Sequence, residues 1–183
     1  KLMHLFPDSL LTPTAAAALP LHLAAKRTET ESVAEVLKLL LCFPETCQIR
    51  DHSGNFPLDM ALQTSHPIPA VIQLFVDTFP VILSFPDDAS GSLLLHRMLR
   101  KCSLLEKSTY DEIVEILVSG CESSLRIQDS SGNTPLSLAC THNHTLSQIY
   151  SLVRKWPEQI TPNRSKSIFD ATVFNCELLY PSL

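Results

Sequence analysis

Apolar positions recur along the chain at helical spacing, in segments of two lengths. The longer segments carry apolar residues at i, i+3 and i+4, which predicts amphipathic helices near 32–43, 69–79, 110–119 and 145–155. A shorter apolar segment precedes each of them, near 20–26, 57–63, 93–101 and 135–141. The alternation of a short and a longer helix predicts an all-α fold built from helix pairs.

One turn pattern precedes the short helices at two places that lie 78 residues apart. Residues 49–61 and 127–139 carry Asp, Ser, Gly, Asn, Pro, Leu and Ala in matching positions. An Asp side chain that accepts backbone hydrogen bonds favours a turn, glycine supplies a left-handed backbone, and proline suits the first turn of a helix. The pattern predicts a turn that leads into a short apolar helix, with positive φ at Gly54, Gly91 and Gly132.

The pattern Asp-x-x-Gly-x-x-Pro-Leu-x-x-Ala resembles the ankyrin repeat, whose fuller signature contains Thr-Pro-Leu-His-x-Ala. Two copies depart from it, because Asp59 and Ser137 stand where the family prefers His. His22 restores that His in the first copy, and a degenerate third copy begins at Asp88 and carries His96. The resemblance implies that the two histidines support the turn by hydrogen bonding, which is a structural role.

Four copies in register cover most of the chain. Aligned on the leucine, they fall at Leu21, Leu58, Leu95 and Leu136, which we expect to be buried in successive layers. The spacings are 37, 37 and 41 residues, longer than the usual repeat of about 33, and predict long inter-helix loops. The resemblance implies an ankyrin-like α-solenoid of helix-turn-helix repeats with short finger turns.

The array is expected to occupy residues 1–163, as a partial repeat and four repeats: 1–13, then near 14–50, 51–87, 88–128 and 129–163. Residues 164–183 lack the turn pattern and are expected to form a divergent C-terminal cap or tail, apolar enough over 167–180 to cover the last repeat. Proline follows the predicted ends of three longer helices, and Gly120 is expected to stop the remaining one. Because Lys1–Phe6 also precede a proline, we expect a fragment of a longer protein that opens inside a repeat.

Composition changes this picture little. The 183 residues are 45% apolar and 18% charged, and the net charge of −5 argues against nucleic acid as the partner. No apolar run approaches the roughly 18 residues that a membrane span needs. The six cysteines show no C-x-x-C pair or zinc spacing, so we expect reduced, structural thiols and an intracellular, reducing compartment.

Motifs that carry catalytic chemistry are missing from the sequence, including phosphate-binding loops, the G-x-S-x-G elbow and H-E-x-x-H. We therefore expect neither an enzyme nor a cofactor in these residues. His142, Asn143 and His144 could bring two imidazoles together, with Cys140 as a third metal ligand. Neighbouring histidines in a loop between helices are more often exposed polar residues, and we expect no metal site.

The remaining candidate is a surface. In ankyrin-like arrays the finger turns and the ends of the first helices line a concave face that commonly binds proteins. On the matching positions, the candidate partner-binding residues are Lys26, Arg27, His52, Asn55, Gln63, Ser90, Arg100, Lys101, Ser130, Asn133 and His142. Half of the eight helix-end residues of this face are basic and none is acidic, whereas carboxylates gather around the second helices.

This charge pattern suggests a partner segment that is acidic, and its alternative is an evenly solvated surface with chance clustering. We expect a protein–protein interaction module that serves as a scaffold, adaptor or assembly subunit. Two alternatives stay open: a regulatory repeat domain of a larger enzyme whose catalytic part lies outside these residues, or a purely structural subunit of a large complex. The fold alone decides between none of them.

Overall fold

Eight α-helices form the part of the chain that the computed structural model describes, which is residues 11–27, 31–87, 90–101, 106–142 and 144–157. They are α1 (Pro20–Ala25), α2 (Glu31–Cys42), α3 (Pro57–Gln63), α4 (Pro69–Thr78), α5 (Leu94–Arg100), α6 (Lys107–Gly120), α7 (Pro135–Thr141) and α8 (Leu146–Lys155). The described residues contain no β-strand, so the prediction of an all-α fold is confirmed for them. None of their helices has the length and apolar character that crossing a membrane requires.

The helices pack as four pairs, here called units 1 to 4, each with a short helix followed by a longer one. Contacts join the two helices within every unit. Between units, α1 packs on α3, α5 packs on α7, and α4 packs on both α2 and α6. Each unit therefore rests on its sequence neighbour, and the core lies between the layers.

The four aligned leucines lie in that core. Leu21, Leu58, Leu95 and Leu136 expose 2%, 0%, 2% and 4% of their surface, so their predicted burial is confirmed. The longer helices add the largest buried side chains, with Tyr110, Phe75, Ile72 and Ile113 in α4 and α6. Burial of these apolar groups is the main favourable term that holds the layers together.

Helix α6 differs from its prediction at both ends. It begins at Lys107, three residues earlier than predicted. The first turn is largely exposed and has no apolar pattern, so the sequence pattern did not reveal it. The helix ends at Gly120, one residue later than predicted, and this last residue does not have a left-handed backbone. The chain leaves α6 at Cys121, with φ −155° and ψ 84°, close to the values at Phe43, Phe79 and Trp156 after the other long helices.

Gly120 also serves close packing. A Cβ atom at this position would lie 2.5 Å from Val76 Cγ1 and 2.7 Å from Leu83 Cδ1. The glycine thus lets the end of α6 approach unit 2 more closely than any other residue would allow.

Three short 3₁₀ helices that the sequence pattern did not predict follow α2, α4 and α6: Pro44–Gln48, Pro80–Ser84 and Glu122–Arg126. Each buries two adjacent side chains, among them Cys47, Ile82, Leu83 and Leu125. The buried pair lies three and four residues after Phe43, Phe79 and Cys121, the residues that follow α2, α4 and α6. The predicted partial repeat at 1–13 lies almost wholly outside the described residues, and the predicted cap at 164–183 does so entirely.

Replacing Leu58 with Ala should destabilise the protein by about 2–5 kcal/mol, because the side chain is fully buried between layers. Chemical denaturation measures the change in the free energy of unfolding. The control is Leu23→Ala on α1, where the side chain is 50% exposed and about 0.5 kcal/mol or less is expected. Similar losses at both positions would contradict the layered core.

Gly120→Ala should also destabilise, by about 1–3 kcal/mol, even though alanine ordinarily favours a helix over glycine. The added methyl group has no room beside Val76 and Leu83. Adding Val76→Ala should make the double variant lose less than the two single losses together, since it removes the clashing atom. A stabilised Gly120→Ala variant would contradict the close approach.

Candidate functional site

The turns before α3 and α7, here called fingers 2 and 4 (residues 51–56 and 129–134), are built alike around an aspartate. Asp51 Oδ1 accepts the backbone N–H groups of Ser53 and Asn55, both at 2.9 Å. Asp129 Oδ1 accepts the corresponding groups of Ser131 and Asn133, at 2.9 and 2.8 Å. Burial alone would raise the pKa of both carboxyls, but these hydrogen bonds hold it below the ordinary value.

The glycines of these turns behave as predicted. Gly54 and Gly132 have φ of 78° and 79°, and Gly91 in the corresponding turn of unit 3 has φ of 58°. A left-handed backbone at these positions explains why the turn pattern carries glycine. The prediction of positive φ at all three is therefore confirmed.

Finger 3 (residues 87–93, with 88 and 89 outside the described residues) corrects the alignment of the third copy. The turn is closed by Asp87, whose N–H donates to Ser92 O at 3.0 Å, and whose carboxylate accepts from Ser90. The equivalent closing bonds in fingers 2 and 4 span four residues, whereas this one spans five. Asp87 is therefore the residue equivalent to Asp51 and Asp129, and the predicted alignment, which began at Asp88, is wrong by one residue.

Hydrogen bonds join the turn before α1 and fingers 2, 3 and 4, with the residues just before them, into a row. The N–H of His52 donates to Ala16 O at 3.0 Å, and the N–H of Ser130 donates to Ser90 O at 3.0 Å. Between units 2 and 3 the Arg50 side chain takes this role, with Nη2 donating to Pro86 O at 2.9 Å. Ser90 and Ser130, both predicted partner-binding residues, are thus brought together.

The ends of the short helices adjoin their own fingers. Gln63 Nε2 at the end of α3 donates to Asn55 Oδ1 at 3.0 Å, and Arg100 Nη1 at the end of α5 donates to Ser92 Oγ at 2.8 Å. Both contacts join residues eight apart, so the same geometry recurs. Fingers and short-helix ends therefore form one surface, here called the finger face.

Two histidines fasten the units from below this surface. His22 Nδ1 accepts the N–H of Leu19 at 3.1 Å, and its Nε2 lies 3.2 Å from Asn55 O in finger 2. His96 repeats the arrangement, with Leu93 N at 3.2 Å and Ile127 O at 3.1 Å. The predicted hydrogen-bonding role of both histidines is confirmed, and it extends to the next unit.

Asp59 replaces His in unit 2 and keeps both parts of that role, whereas Ser137 in unit 4 donates where the histidines accept. Asp59 Oδ2 accepts the N–H of Phe56 at 2.8 Å, as the histidine nitrogens do for their own turns, while Oδ1 pairs with Arg97 of unit 3. In unit 4 the N–H of Ser137 donates to Thr134 Oγ1 at 3.3 Å. The Asp59–Arg97 ion pair was missed, because residues 38 apart in sequence offer no local signal.

The predicted column of basic residues is largely engaged within the chain. Arg100 pairs with Asp129, and Lys101 Nζ donates to Leu62 O at 2.8 Å. Burial lowers the pKa of Lys101. Arg27 lies 3.2 Å from Glu35. Carboxylates were expected around the second helices, but Asp129 lies in finger 4 and partly neutralises this column.

The other candidate partner-binding residues occupy the finger face or its edge. Lys26 and His52 are exposed at the end of α1 and at the tip of finger 2. Asn133 is half-buried, and its Nδ2 lies 3.2 Å from Asp129 Oδ2. His142 is exposed at the end of α7, and its Nδ1 lies 3.0 Å from Leu138 O.

The considered metal site gains no support from the geometry of the loop after α7. His144 points to unit 3, with Nε2 2.8 Å from Leu99 O and Nδ1 3.3 Å from Tyr110 Oη. Cys140 is buried in α7. Among the described residues, no three potential ligands of the His, Cys, Asp or Glu type lie close enough to hold a metal ion.

A cleft of 170 Å³ between α6 and α8 is lined by Tyr110 and His144 together with two carboxylates. Asp111 accepts a hydrogen bond from Gln148, and Glu115 lies 2.9 Å from Lys155 Nζ. The polar groups of the cleft thus hold α8 against α6.

Arg97→Met should destabilise the protein by about 2–3 kcal/mol at pH 7, since it leaves Asp59 buried without its charge partner. Burial raises the pKa of Asp59 even against the opposing effect of Arg97. A raised carboxyl pKa means that stability is greatest below its unfolded value and is lost as the pH rises through the folded value. The loss in the variant should therefore shrink as the pH is lowered toward 4.

Arg100→Met is the matched control for this titration, measured by denaturation between pH 7 and 3. Asp129 keeps its backbone hydrogen bonds, and its pKa lies below the ordinary value. The loss caused by Arg100→Met should consequently persist until the pH falls below about 3.9. Identical pH profiles for the two variants would contradict the assigned environments.

The finger face and the hydrogen bonds beneath it recur from unit to unit in the described residues, which makes this face the candidate functional site. The sequence matches no protein-family model, and no curated protein is significantly similar to it.

Proposed function

We propose that the chain is an ankyrin-like solenoid whose finger face binds a protein partner. Three features support the fold proposal: the finger turns with left-handed glycines, the short helix that follows each turn, and the stacking of each unit on its neighbour. Arrays of this kind are extended, and their fingers and inner helices form a continuous binding surface.

The observation that carries the binding proposal is the row of fingers. Main-chain hydrogen bonds and one from Arg50 join each finger region to its neighbour, and side-chain bonds tie the ends of α3 and α5 to their own fingers. Such a surface is rigid before a partner arrives, which reduces the ordering cost of binding. Its tips carry different exposed polar side chains, which suits recognition of a specific partner segment.

The charges of the face still favour an acidic partner, although less strongly than four free basic side chains would. Lys26 is exposed, and Arg100 remains partly accessible beside Asp129. Charges at the edge of an interface contribute mainly to encounter rate and orientation. An acidic segment would be guided to the face by these groups and held by the fingers.

A structural subunit is the second candidate, and an apolar stripe on α2 favours it. Leu37 and Leu41 are 38% and 75% exposed on the solvent side of α2. Counted back from the residue that follows each helix, the equivalent positions in α4 are Gln73 and Asp77. Exposed leucines where a neighbouring unit carries polar residues mark a surface that another protein can cover.

Photo-cross-linking in cells distinguishes these surfaces. A benzophenone amino acid would replace Ser53 or Ser131 on the finger face, Leu41 on α2, or Gln73 as an outward-facing control, and all four side chains are exposed. The proposal predicts discrete protein adducts from Ser53 and Ser131, and none from Gln73. Mass spectrometry of the adducts should place the cross-link in an Asp- or Glu-rich segment.

Charge reversal provides the second arm of this experiment. Lys26→Glu should reduce the finger-face adducts, most clearly at low salt, because screening weakens surface electrostatics. Lys38→Glu, the same change at another exposed lysine, should leave them unchanged. Adducts from Leu41 alone would favour the structural subunit, and an equal yield at all four positions would overturn both readings.

A further inference from the structure

The side chain at the third position of each short helix decides how that unit is fastened. In units 1 and 3 it is His22 or His96, and in units 2 and 4 it is Asp59 or Ser137. Both histidines are 0% exposed. The interfaces between units 1 and 2 and between units 3 and 4 therefore contain a buried imidazole, whereas the interface between units 2 and 3 contains an ion pair.

The partners of these histidines fix their protonation state. Nδ1 faces a backbone N–H, which can only donate, so this nitrogen must be the unprotonated acceptor. Nε2 faces a carbonyl oxygen, which can only accept, so this nitrogen must carry the proton. A second proton on Nδ1 would set two donors against each other at about 3 Å in a buried site, where an unsatisfied donor is costly.

Neighbouring charges act on both rings. His22 faces Asp51 in finger 2 and Asp59 on α3, which both favour the protonated ring. His96 faces Asp129, which favours protonation, and Arg100, which opposes it. Burial outweighs these charges and lowers the pKa of both histidines. Their contribution to stability is therefore complete above the ordinary value of about 6.5 and is lost as the pH falls through the lowered value.

Two other sites show why the effect is local. His144 Nδ1 lies near the Tyr110 hydroxyl, which can rotate to accept a proton from a charged ring. Asp59 fills the equivalent position in unit 2 with a group that already accepts from Phe56 N–H and pairs with Arg97. A proton gained by His144 therefore meets an acceptor, and unit 2 has no histidine at this position that could gain one.

We propose that mild acid selectively loosens the interfaces between units 1 and 2 and between units 3 and 4, and spares the interface between units 2 and 3. The new Nδ1–H opposes the backbone N–H that it faces and displaces the ring, so the Nε2–H bond to Asn55 O or Ile127 O in the following unit is lost as well. Hydrogen bonds from His22 and His96 to the following unit are thus sensitive to pH, whether or not the finger face binds a partner.

Residue-resolved amide hydrogen exchange on the full chain, at pH 7.5 and pH 5.0, tests this proposal. The Leu19 and Leu93 amides donate to the histidines, and the Phe56 amide donates to Asp59. After correction for the intrinsic pH dependence of exchange, Leu19 and Leu93 should lose about tenfold in protection at pH 5.0. Phe56 should change by less than about twofold, because a proton gained by Asp59, whose pKa is raised by burial, removes a buried charge and leaves Oδ2 able to accept the Phe56 N–H.

Variants give a second measurement. His22→Gln combined with His96→Gln should remove most of the loss of unfolding stability between pH 7.5 and 5.0, since neither glutamine takes up a proton. His66→Gln, the same substitution at an exposed histidine, should keep the full loss. Equal loss of protection at Leu19, Leu93 and Phe56, or full protection at all three, would overturn the proposal even if the double variant does not fold.

Discussion

Units 1 to 3 of this chain depend on one hydrogen bond at the start of the short helix. The third side chain of each short helix of units 1 to 3 accepts the backbone N–H that precedes the helix, and the same side chain reaches into the next unit. Helix starts leave N–H groups without intrahelical partners, and burial makes such groups costly. One side chain therefore solves a local problem and joins two layers.

The hydrophobic contacts depend on this arrangement. Leu21 and Leu58 are buried because successive short helices lie against each other, and the side-chain bonds hold those helices at a fixed offset. Apolar burial supplies most of the favourable free energy but little direction. Directed hydrogen bonds between units supply the register that the apolar layers lack.

Local chemistry in the sequence predicted the local parts of this structure. Proline, the turn aspartates, and the glycines with positive φ act within a few residues, so the pattern around Gly54 was enough to predict a turn and a helix. Gly120 shows the limit, because the sequence suggested only a helix stop, whereas in the structure this glycine also lets the last turn of α6 pack against Val76. A glycine required by a distant neighbour looks the same in sequence as one required by its own backbone.

The sequence predicted which candidate residues lie together but not which of their charges are paired, because only contacts within one copy follow from local spacing. Asn55 and Gln63 lie together on the finger face because their spacing follows from one turn and one helix. Arg100 meets Asp129 and Arg97 meets Asp59 across unit boundaries, at separations of 29 and 38 residues. No pattern within a single copy shows which charges will face each other after stacking, so the sequence could not show that Arg100 and Lys101 have partners within the chain.

The same bonds connect the proposed binding surface with the stability of the stack. The carbonyl of Asn55, which His22 contacts, lies in finger 2, and that of Ile127, which His96 contacts, lies two residues before finger 4, so the shape of the finger face depends on whether those histidines remain neutral. A partner that binds only the ordered fingers stabilises the interfaces beneath them, because binding one state shifts the equilibrium toward it. By reciprocal linkage, protonation of the histidines lowers the affinity for that partner by the same free energy. Asp59 and Arg97 keep the interface between units 2 and 3 outside this coupling, so the centre of the stack can stay assembled while the fingers on either side respond.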